Sequence, residues 1–177
     1  MYAIACEYMD ISAESNAALE QAAPVPPSPA LYTVARDIDG DTIDVKTSTG
    51  AIQRVRLIGV DTPETHDPRK TVQCFGQVAA AYTKTQLEGK LVRLVADPED
   101  SDKDKYGRLL RYVYLGDALF NQQLIAQGYG FAYVVFPYQK IDDFRKSERE
   151  ARVANRGLWN GCNIDESKAI KQTTSTK

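Results

Sequence analysis

The chain has 177 residues, of which 43% are hydrophobic and 26% charged, a composition typical of one soluble globular domain with tails. No apolar run approaches the roughly 20 residues that a membrane-spanning helix needs, so no spanning segment is predicted. The formal net charge of -2 argues against tight non-specific binding to duplex nucleic acid, although it does not exclude a local basic cleft.

The first 30 residues are predicted to form a disordered or linker tail. They are rich in Ala, Ser and Pro, and the density of prolines in Pro24–Pro29 favours extended chain with little packing. Met1–Cys6 is apolar, but it is too short for a complete signal peptide and has no positive segment. We therefore expect at most the remnant of an export signal there.

Two strands joined by a tight turn begin the predicted domain. Tyr32–Asp37 and Thr42–Lys46 flank Asp39-Gly40, and Asp-Gly between alternating runs is a strong hairpin pattern. A further turn leads into a third predicted strand, Ile52–Val60. Strict alternation would place Arg56 and Asp61 on opposite faces, and either a bulge or a bend near Gly59 is a way to bring them together.

Three helices and three further strands are predicted in the rest of the chain. The helices, which have helical spacing of apolar residues or a glycine at their ends, are Gly76–Leu87, Ala118–Gln127 and Lys140–Asn155. The strands are Lys90–Ala96, Leu109–Leu115 and Tyr129–Phe136. Beyond Asn163 the chain is rich in Lys, Ser and Thr, and residues 164–177 are expected to be a polar tail that frays. Periodicity alone predicts only a mixed, strand-first, antiparallel domain.

Four short stretches carry the residues with chemical potential. They are Ile38–Thr42, Arg56–Glu64, Asp104–Arg108 and Arg156–Trp159. Together they hold two carboxylates for a hard cation, a third for a water molecule, and two guanidiniums, which is a set suited to phosphodiester hydrolysis. In order and spacing the four stretches resemble the staphylococcal nuclease, or thermonuclease, family. No single stretch is specific, but the four together are strong support.

The resemblance covers roughly Leu31 to Asn163 and implies a fold for that range. The family has an OB-fold, so we expect a mainly β, α+β domain over residues 31–163 with a five-stranded barrel and about three packed helices.

The resemblance also implies a metal site. Asp41 and Asp61 would be the side-chain ligands, joined by the backbone carbonyl of Thr62. Hard oxygen ligands suit Ca²⁺ or Mg²⁺ and not zinc, and Ca²⁺ is the expected cofactor. So few protein ligands predict weak binding in the absence of substrate. Taken alone, Asp41 would be read as an ordinary turn aspartate.

Three catalytic residues follow from the resemblance. Arg56 and Arg108 would stabilise the extra negative charge that develops on the phosphate, because a guanidinium offers two parallel N–H donors. Glu64 would hold the attacking water, either as a general base or as a positioning group. Without the other stretches, each arginine would be read as a surface residue.

Lys105, Tyr106 and Tyr133 match family positions that hold the phosphate and nucleoside of the substrate. Aromatic rings stack on any base, so these residues imply tolerance of sequence. The chain departs from the family at Val135, which replaces a second tyrosine, and this puts the strength or geometry of nucleotide binding in question.

The resemblance thus implies a calcium-dependent, sugar-non-specific nuclease that acts on single-stranded DNA and RNA and leaves 3′-phosphate ends. The alternative is a non-catalytic nuclease-like OB module that binds nucleic acid or protein. The complete set of Arg56, Glu64 and Arg108 favours the enzyme. We expect a monomer.

The cysteines bear on the compartment. No pair among Cys6, Cys74 and Cys162 has zinc-ligand spacing, and the only histidine, His66, is expected to be a surface loop residue. A Cys74–Cys162 disulfide is predicted, since it would tether the end of the domain to its first helix. It would imply an oxidising compartment, extracellular or in the cell envelope. The alternative is three free thiols in a cytoplasmic protein.

Overall fold

The computed structural model describes residues 30–65, 72–167 and 171–175. The predicted N-terminal tail, apart from Ala30, and His66 lie outside these residues. In chain order, the strands and helices are β1 (Leu31–Asp37), β2 (Thr42–Lys46), β3 (Ile52–Leu57), β4 (Val60–Asp61), α1 (Gly76–Leu87), β5 (Leu91–Val95), β6 (Leu109–Leu115), β7 (Ala118–Leu119), α2 (Phe120–Ala126), β8 (Phe131–Ala132), α3 (Ile141–Val153), α4 (Leu158–Gly161), β9 (Cys162–Asp165) and β10 (Gln172–Ser175). None of the described helices is long and apolar enough to cross a membrane.

Five strands form a closed barrel. Antiparallel pairing joins them in the order β3-β2-β1-β5-β6, and parallel pairing of β3 with β6 closes the ring. Three longer helices, α1, α2 and α3, pack around it, and α4 is a short turn of helix. The predicted five-stranded barrel with about three helices is therefore confirmed.

Alternation along the strands fills the barrel and leaves its outer face polar. Ile43 and Val45 of β2 and Val55 and Leu57 of β3 are fully or almost fully buried in the core. Residues between them point to the other face, because successive side chains of a strand alternate. That outer face of β2 and β3 carries charged residues that border the functional site.

The third strand is interrupted by a turn instead of running to Val60. The chain turns at Gly59, which has φ +70, and a Cβ there would lie 2.7 Å from the ring of Tyr138. The amide of Asn121 fixes this turn by donating to the carbonyl of Ile58 at 2.9 Å. Of the bulge and the bend that the sequence allowed near Gly59, the structure has a turn.

Two other predicted elements are wrong in extent. Of Tyr129–Phe136 only Phe131–Ala132 forms a strand, which pairs with the two residues of β4, and the following residues leave the sheet. Helix α2 begins at Phe120 and not at Ala118, because Ala118 and Leu119 pair with the end of β6. The apolar pattern of these segments does not fix where a strand begins or ends, so pairing with β4 and β6 decided their extent.

The described residues beyond Asn163 include two paired strands, where a fraying tail was expected. β9 and β10 form an antiparallel pair, and the hydroxyl of Thr173 donates to the carbonyl of Cys74 at 2.6 Å. Lys171 lies 2.7 Å from Glu148 of α3. Cys74 and Cys162 are joined by a disulfide, which ties β9 to the residues just before α1.

A close backbone contact next to α4 makes Gly157 a sensitive position. Gly157 has φ +54, and a Cβ there would lie 2.2 Å from the carbonyl oxygen of Gly128. We predict that Gly157→Ala lowers the free energy of unfolding by about 3 kcal/mol, since backbone strain and a backbone clash add.

The matched control is Gly116→Ala. Gly116 has φ +60 but open space around it, so only the cost of the left-handed conformation, about 1–2 kcal/mol, is expected. Urea unfolding measures both variants. Equal losses would contradict a steric role for the Gly128 contact.

Candidate active site

The barrel brings three segments together at one pocket. They are the β1–β2 turn, the chain from the end of β3 through β4 to Glu64, and the turn that precedes β6. The pocket has a volume of about 140 Å³ and is lined by Asp39, Asp41, Arg56, Asp61, Thr62, Glu64 and Arg108. All six residues predicted for catalysis or metal binding therefore line one small pocket, together with Asp39.

Asp41 lies almost buried, with 6% of the residue exposed. One carboxylate oxygen accepts from the backbone N–H of Thr62 at 2.9 Å, and the other accepts from the hydroxyl of Thr42 at 3.1 Å. The hydroxyl of Thr62 donates to the carbonyl of Asp39 at 2.9 Å. These bonds hold the β1–β2 turn against the chain that follows β4.

Arg56 is held on several sides. Its Nη1 donates to the carbonyls of Leu57 and Val60 at 3.0 and 2.7 Å. Its Nη2 lies 3.1 Å from Asp41 Oδ2 and 3.5 Å from Asp61 Oδ1. Burial opposes the charge, but the neighbouring carboxylates outweigh it and raise the pKa of Arg56. The guanidinium is therefore charged and fixed in position.

Arg108 approaches the pocket from the other side. Its Nε donates to Asp104 Oδ2 at 2.6 Å, and its Nη1 donates to the hydroxyl of Thr42 at 3.3 Å. The other oxygen of Asp104 accepts from the backbone N–H groups of Tyr106 and Arg108. Although burial opposes it, these bonds hold the pKa of Asp104 below its usual value. Asp104 thus orients Arg108, a role that its place in the motif alone did not reveal.

Glu64 is placed by the loop that leads to α1. Its backbone N–H donates to the side-chain carbonyl of Gln73 at 3.2 Å, and its own carbonyl accepts from the N–H of Gln73 at 2.9 Å. One carboxylate oxygen accepts from the backbone N–H of Thr65 at 3.0 Å. The backbone of Glu64 is thus held by two hydrogen bonds to Gln73, and its carboxylate lines the pocket.

Asp39 is a pocket residue that sequence reasoning assigned only to a turn. Its Oδ1 is buried and has no hydrogen-bond partner among the described residues. Burial and the negative charge of Asp41 raise the pKa of Asp39 to about 7, against the opposing charge of Arg56. A second aspartate beside the turn glycine was the only sequence feature that pointed to it.

The three predicted substrate-binding residues do not line the 140 Å³ pocket. Tyr106 is 72% exposed, with Lys105 Nζ 5.1 Å and Arg108 Cζ 5.5 Å from its ring centroid. Burial and the charge of Asp61 raise the pKa of Tyr133, and its backbone N–H donates to Gly59. The ring of Phe136 lies 6.1 Å from that of Tyr133.

The donor set of the pocket fits a hard divalent cation. Asp39, Asp41 and Asp61 offer carboxylate oxygens, and the buried Asp39 Oδ1 lacks a partner within the described part of the chain. Four acidic side chains face two guanidiniums in the lining, and a bound cation would favour the ionised form of Asp39, whose pKa is otherwise raised. No group of three or more His, Cys, Asp or Glu side chains in the described ranges is arranged to hold a metal by itself. A cation would also need the Thr62 carbonyl, water and substrate.

Comparisons with known proteins agree with this geometry. A family model described as staphylococcal nuclease homologue matches residues 54–161. The chain is 44% identical over 129 residues to a thermonuclease of Staphylococcus intermedius and 40% identical over 129 residues to a thermonuclease of Staphylococcus hyicus, covering 72% of this chain and 75% of each relative. It is 37% identical over 158 residues to the SPbeta prophage-derived endonuclease YokF of Bacillus subtilis, covering 82% of this chain and 53% of that protein.

Proposed function

Because this chain belongs to the staphylococcal nuclease family, we propose that it is a Ca²⁺-dependent nuclease that hydrolyses single-stranded DNA and RNA without sugar specificity and leaves 3′-phosphate ends. The observation that carries the proposal is the pocket in which Arg56, Arg108 and Glu64 face Asp41 and Asp61.

The two arginines act on the phosphate. Attack of water on phosphorus gives a five-coordinate state with one more negative charge, and rupture of the bond to the 5′ oxygen then yields a 5′-hydroxyl and a 3′-phosphate. Arg56 is fixed by two backbone carbonyls and Arg108 by Asp104, so both donors are placed before the charge develops. Such preorganised donors stabilise the transition state more than the ground state.

Glu64 holds the attacking water. Its carboxylate orients the water and accepts one of its protons as the water oxygen attacks phosphorus. The leaving 5′ oxygen takes up a proton from solvent water as the bond to phosphorus breaks.

Calcium is the proposed cofactor. The carboxylates of Asp41 and Asp61 and the carbonyl of Thr62 would hold it, and Asp39 would contribute charge beside them. When bound, such a cation supplies Lewis-acid stabilisation of phosphate charge and lowers the pKa of a nearby water.

The exposed aromatic residues give tolerance of base sequence. Tyr106 and Tyr133 offer rings on which bases stack, and Lys105 offers a charge to phosphate. The position of the missing family tyrosine is Val135, which is 46% exposed beside Phe136 at 58%. We propose that nucleoside binding there is weaker than in relatives with two tyrosines.

A non-catalytic binding module is the second candidate. The net charge of -2 favours its protein-binding form. A binding module does not require Arg56, Glu64 and Arg108 to line one pocket, so we rank this candidate below the nuclease.

We also propose that the protein acts outside the cytoplasm as a monomer. The Cys74–Cys162 disulfide supports the location, because such bonds persist in oxidising compartments.

The test compares the wild type with Glu64→Gln on end-labelled single-stranded DNA and RNA in Ca²⁺. The wild type should cleave both and leave ends that phosphatase can dephosphorylate. Glu64→Gln should lose roughly 10²–10³ in kcat, because the water is no longer held, while oligonucleotide binding by fluorescence anisotropy changes little.

Glu99→Gln is the matched control, since Glu99 does not line the pocket and is exposed. Binding without cleavage by the wild type would overturn the nuclease and support the binding module.

A further inference from the structure

Three charged residues form a row across the outer face of the barrel beside the pocket. Asp44 of β2 is opposite Arg36 of β1 and Arg54 of β3 in the strand register. Asp44 Oδ2 accepts from Arg36 Nε at 2.8 Å, and Asp44 Oδ1 accepts from Arg54 Nε at 2.8 Å. A further bond joins Arg54 Nη2 to Asp44 Oδ2 at 3.1 Å. We call these three residues the Asp44 row.

Burial differs sharply within the Asp44 row. The side chain of Asp44 is 2% exposed, whereas those of Arg36 and Arg54 are 63% and 47% exposed. The hydrogen bonds from the arginines, that from Arg54 foremost, hold the pKa of Asp44 below its usual value, although burial opposes them. The buried carboxylate therefore orients two exposed guanidiniums and leaves the row with a net positive charge.

The arginines keep donors for another partner. Arg36 bonds to Asp44 through its Nε, and Arg54 does so through its Nε and Nη2, so the Nη1 groups of both arginines remain outside these bonds. A guanidinium that is already held loses little conformational freedom when it binds an oxyanion.

The Asp44 row is continuous with the active site. A second, larger pocket of about 510 Å³ is lined by Arg36, Asp44, Ile52, Arg54, Tyr106, Gly107 and Arg108. Arg108 lines both pockets. On β3, Arg54 precedes Arg56 by two residues on the same face, a separation of about 7 Å that is comparable with the phosphate spacing of an extended single strand.

We propose that the Asp44 row is a flanking phosphate subsite, where Arg36 and Arg54 bind the backbone of a single-stranded nucleic acid beyond the nucleotide held at the cleavage site. The inference rests on the proposed function and extends it to the length of substrate that the protein engages. Asp44 is a positioning residue, since it acts through the two arginines.

A single strand fits this surface better than a duplex. The exposed ring of Tyr106 borders the same pocket, and an unpaired base can stack on it while its phosphate meets the arginines. Few positive charges are concentrated at this pocket, so the subsite adds a local contact to a strand already held at Arg108 and is not a broad duplex-binding face.

Arg36→Gln and Arg54→Gln test the subsite with two oligothymidylates, a dinucleotide that spans only the cleavage site and a dodecamer that extends beyond it. We expect the ratio of kcat/KM for dodecamer to that for dinucleotide to fall about three- to tenfold in each variant. The slope of log Kd against log salt for the dodecamer should become shallower by about 0.7 per lost phosphate contact.

Arg149→Gln is the matched control, because this exposed arginine of α3 lines neither pocket, and it should leave the ratio unchanged. Asp44→Asn adds a check on positioning and should lower the ratio although it removes a negative charge. Circular dichroism melting curves confirm that each variant is folded.

An unchanged ratio and an unchanged salt slope in both arginine variants would overturn the subsite while leaving the nuclease intact. Failure of the wild type to cleave either oligonucleotide would instead overturn the proposed function. In that case dodecamer binding by anisotropy still decides the subsite, with equal Kd values for wild type and variants counting against it.

Discussion

Arg108→Ala should lower kcat on single-stranded DNA by about 10²–10³ while the fold survives, since one preorganised donor to the developing phosphate charge is lost. The side chain of Arg108 contacts Asp104 and Thr42 at the edge of the pocket, and these contacts are to side chains and not to backbone carbonyls. Its removal therefore leaves the barrel closed, and the midpoint of urea unfolding should change little.

Arg56→Ala should differ in its effect on stability. Arg56 donates to the carbonyls of Leu57 and Val60 and separates two carboxylates. Its loss removes two hydrogen bonds to the carbonyls of buried residues and lets Asp41 and Asp61 repel each other. We expect a similar fall in kcat together with a loss of about 2–4 kcal/mol in the free energy of unfolding.

Steady-state kinetics and urea unfolding of the same preparations separate the two arginines. Arg108→Lys is the informative companion, because it keeps the charge but not the fork of parallel donors, and it should recover only part of the rate. Near-wild-type turnover in Arg108→Ala would remove Arg108 from the catalytic set. Arg149→Ala, at an exposed position of α3 outside both pockets, is the control for loss of a surface arginine.

Removal of calcium should lower the cleavage rate by roughly 10³, because only the two arginines then remain to stabilise the negative charge on the phosphate. EDTA followed by excess Ca²⁺ should restore the rate. Undiminished cleavage in EDTA would contradict the proposed cofactor.

Calcium binding has a readout that is independent of activity. We expect a dissociation constant for Ca²⁺ on the order of 10⁻⁴–10⁻³ M. Free Ca²⁺ at about ten times that constant would stabilise the fold by about 1.4 kcal/mol, which corresponds to a rise in Tm of roughly 3–6 °C. Asp61→Asn should abolish that rise, whereas Asp117→Asn, exposed and away from the pocket, should retain it. Equal shifts in both variants would remove Asp61 from the proposed ligand set.

Local patterns predicted most of the framework. The predicted bounds of α1, β2 and β6 agree with those of the structure, because strand alternation, helical spacing and turn glycines act within a few residues. The predicted strand Tyr129–Phe136 was too long, because its extent depends on pairing with a distant segment. An apolar run of that kind forms a strand only where a partner edge is available, and β4 offers two residues.

The sequence by itself determined which groups the chain possesses: a hard-oxygen donor set, two arginines and a glutamate in family order. It could not determine their mutual geometry, because Arg56 meets Asp61 only through the turn at Gly59. Tertiary structure alone decided that Asp39 joins the pocket and that Asp104 orients Arg108. It also decided the Asp44 row, since the contact of Arg36 and Arg54 with Asp44 depends on a register shift in β1 and on strands paired across the barrel. Register is a property of paired strands, and a single strand read along the chain does not contain it.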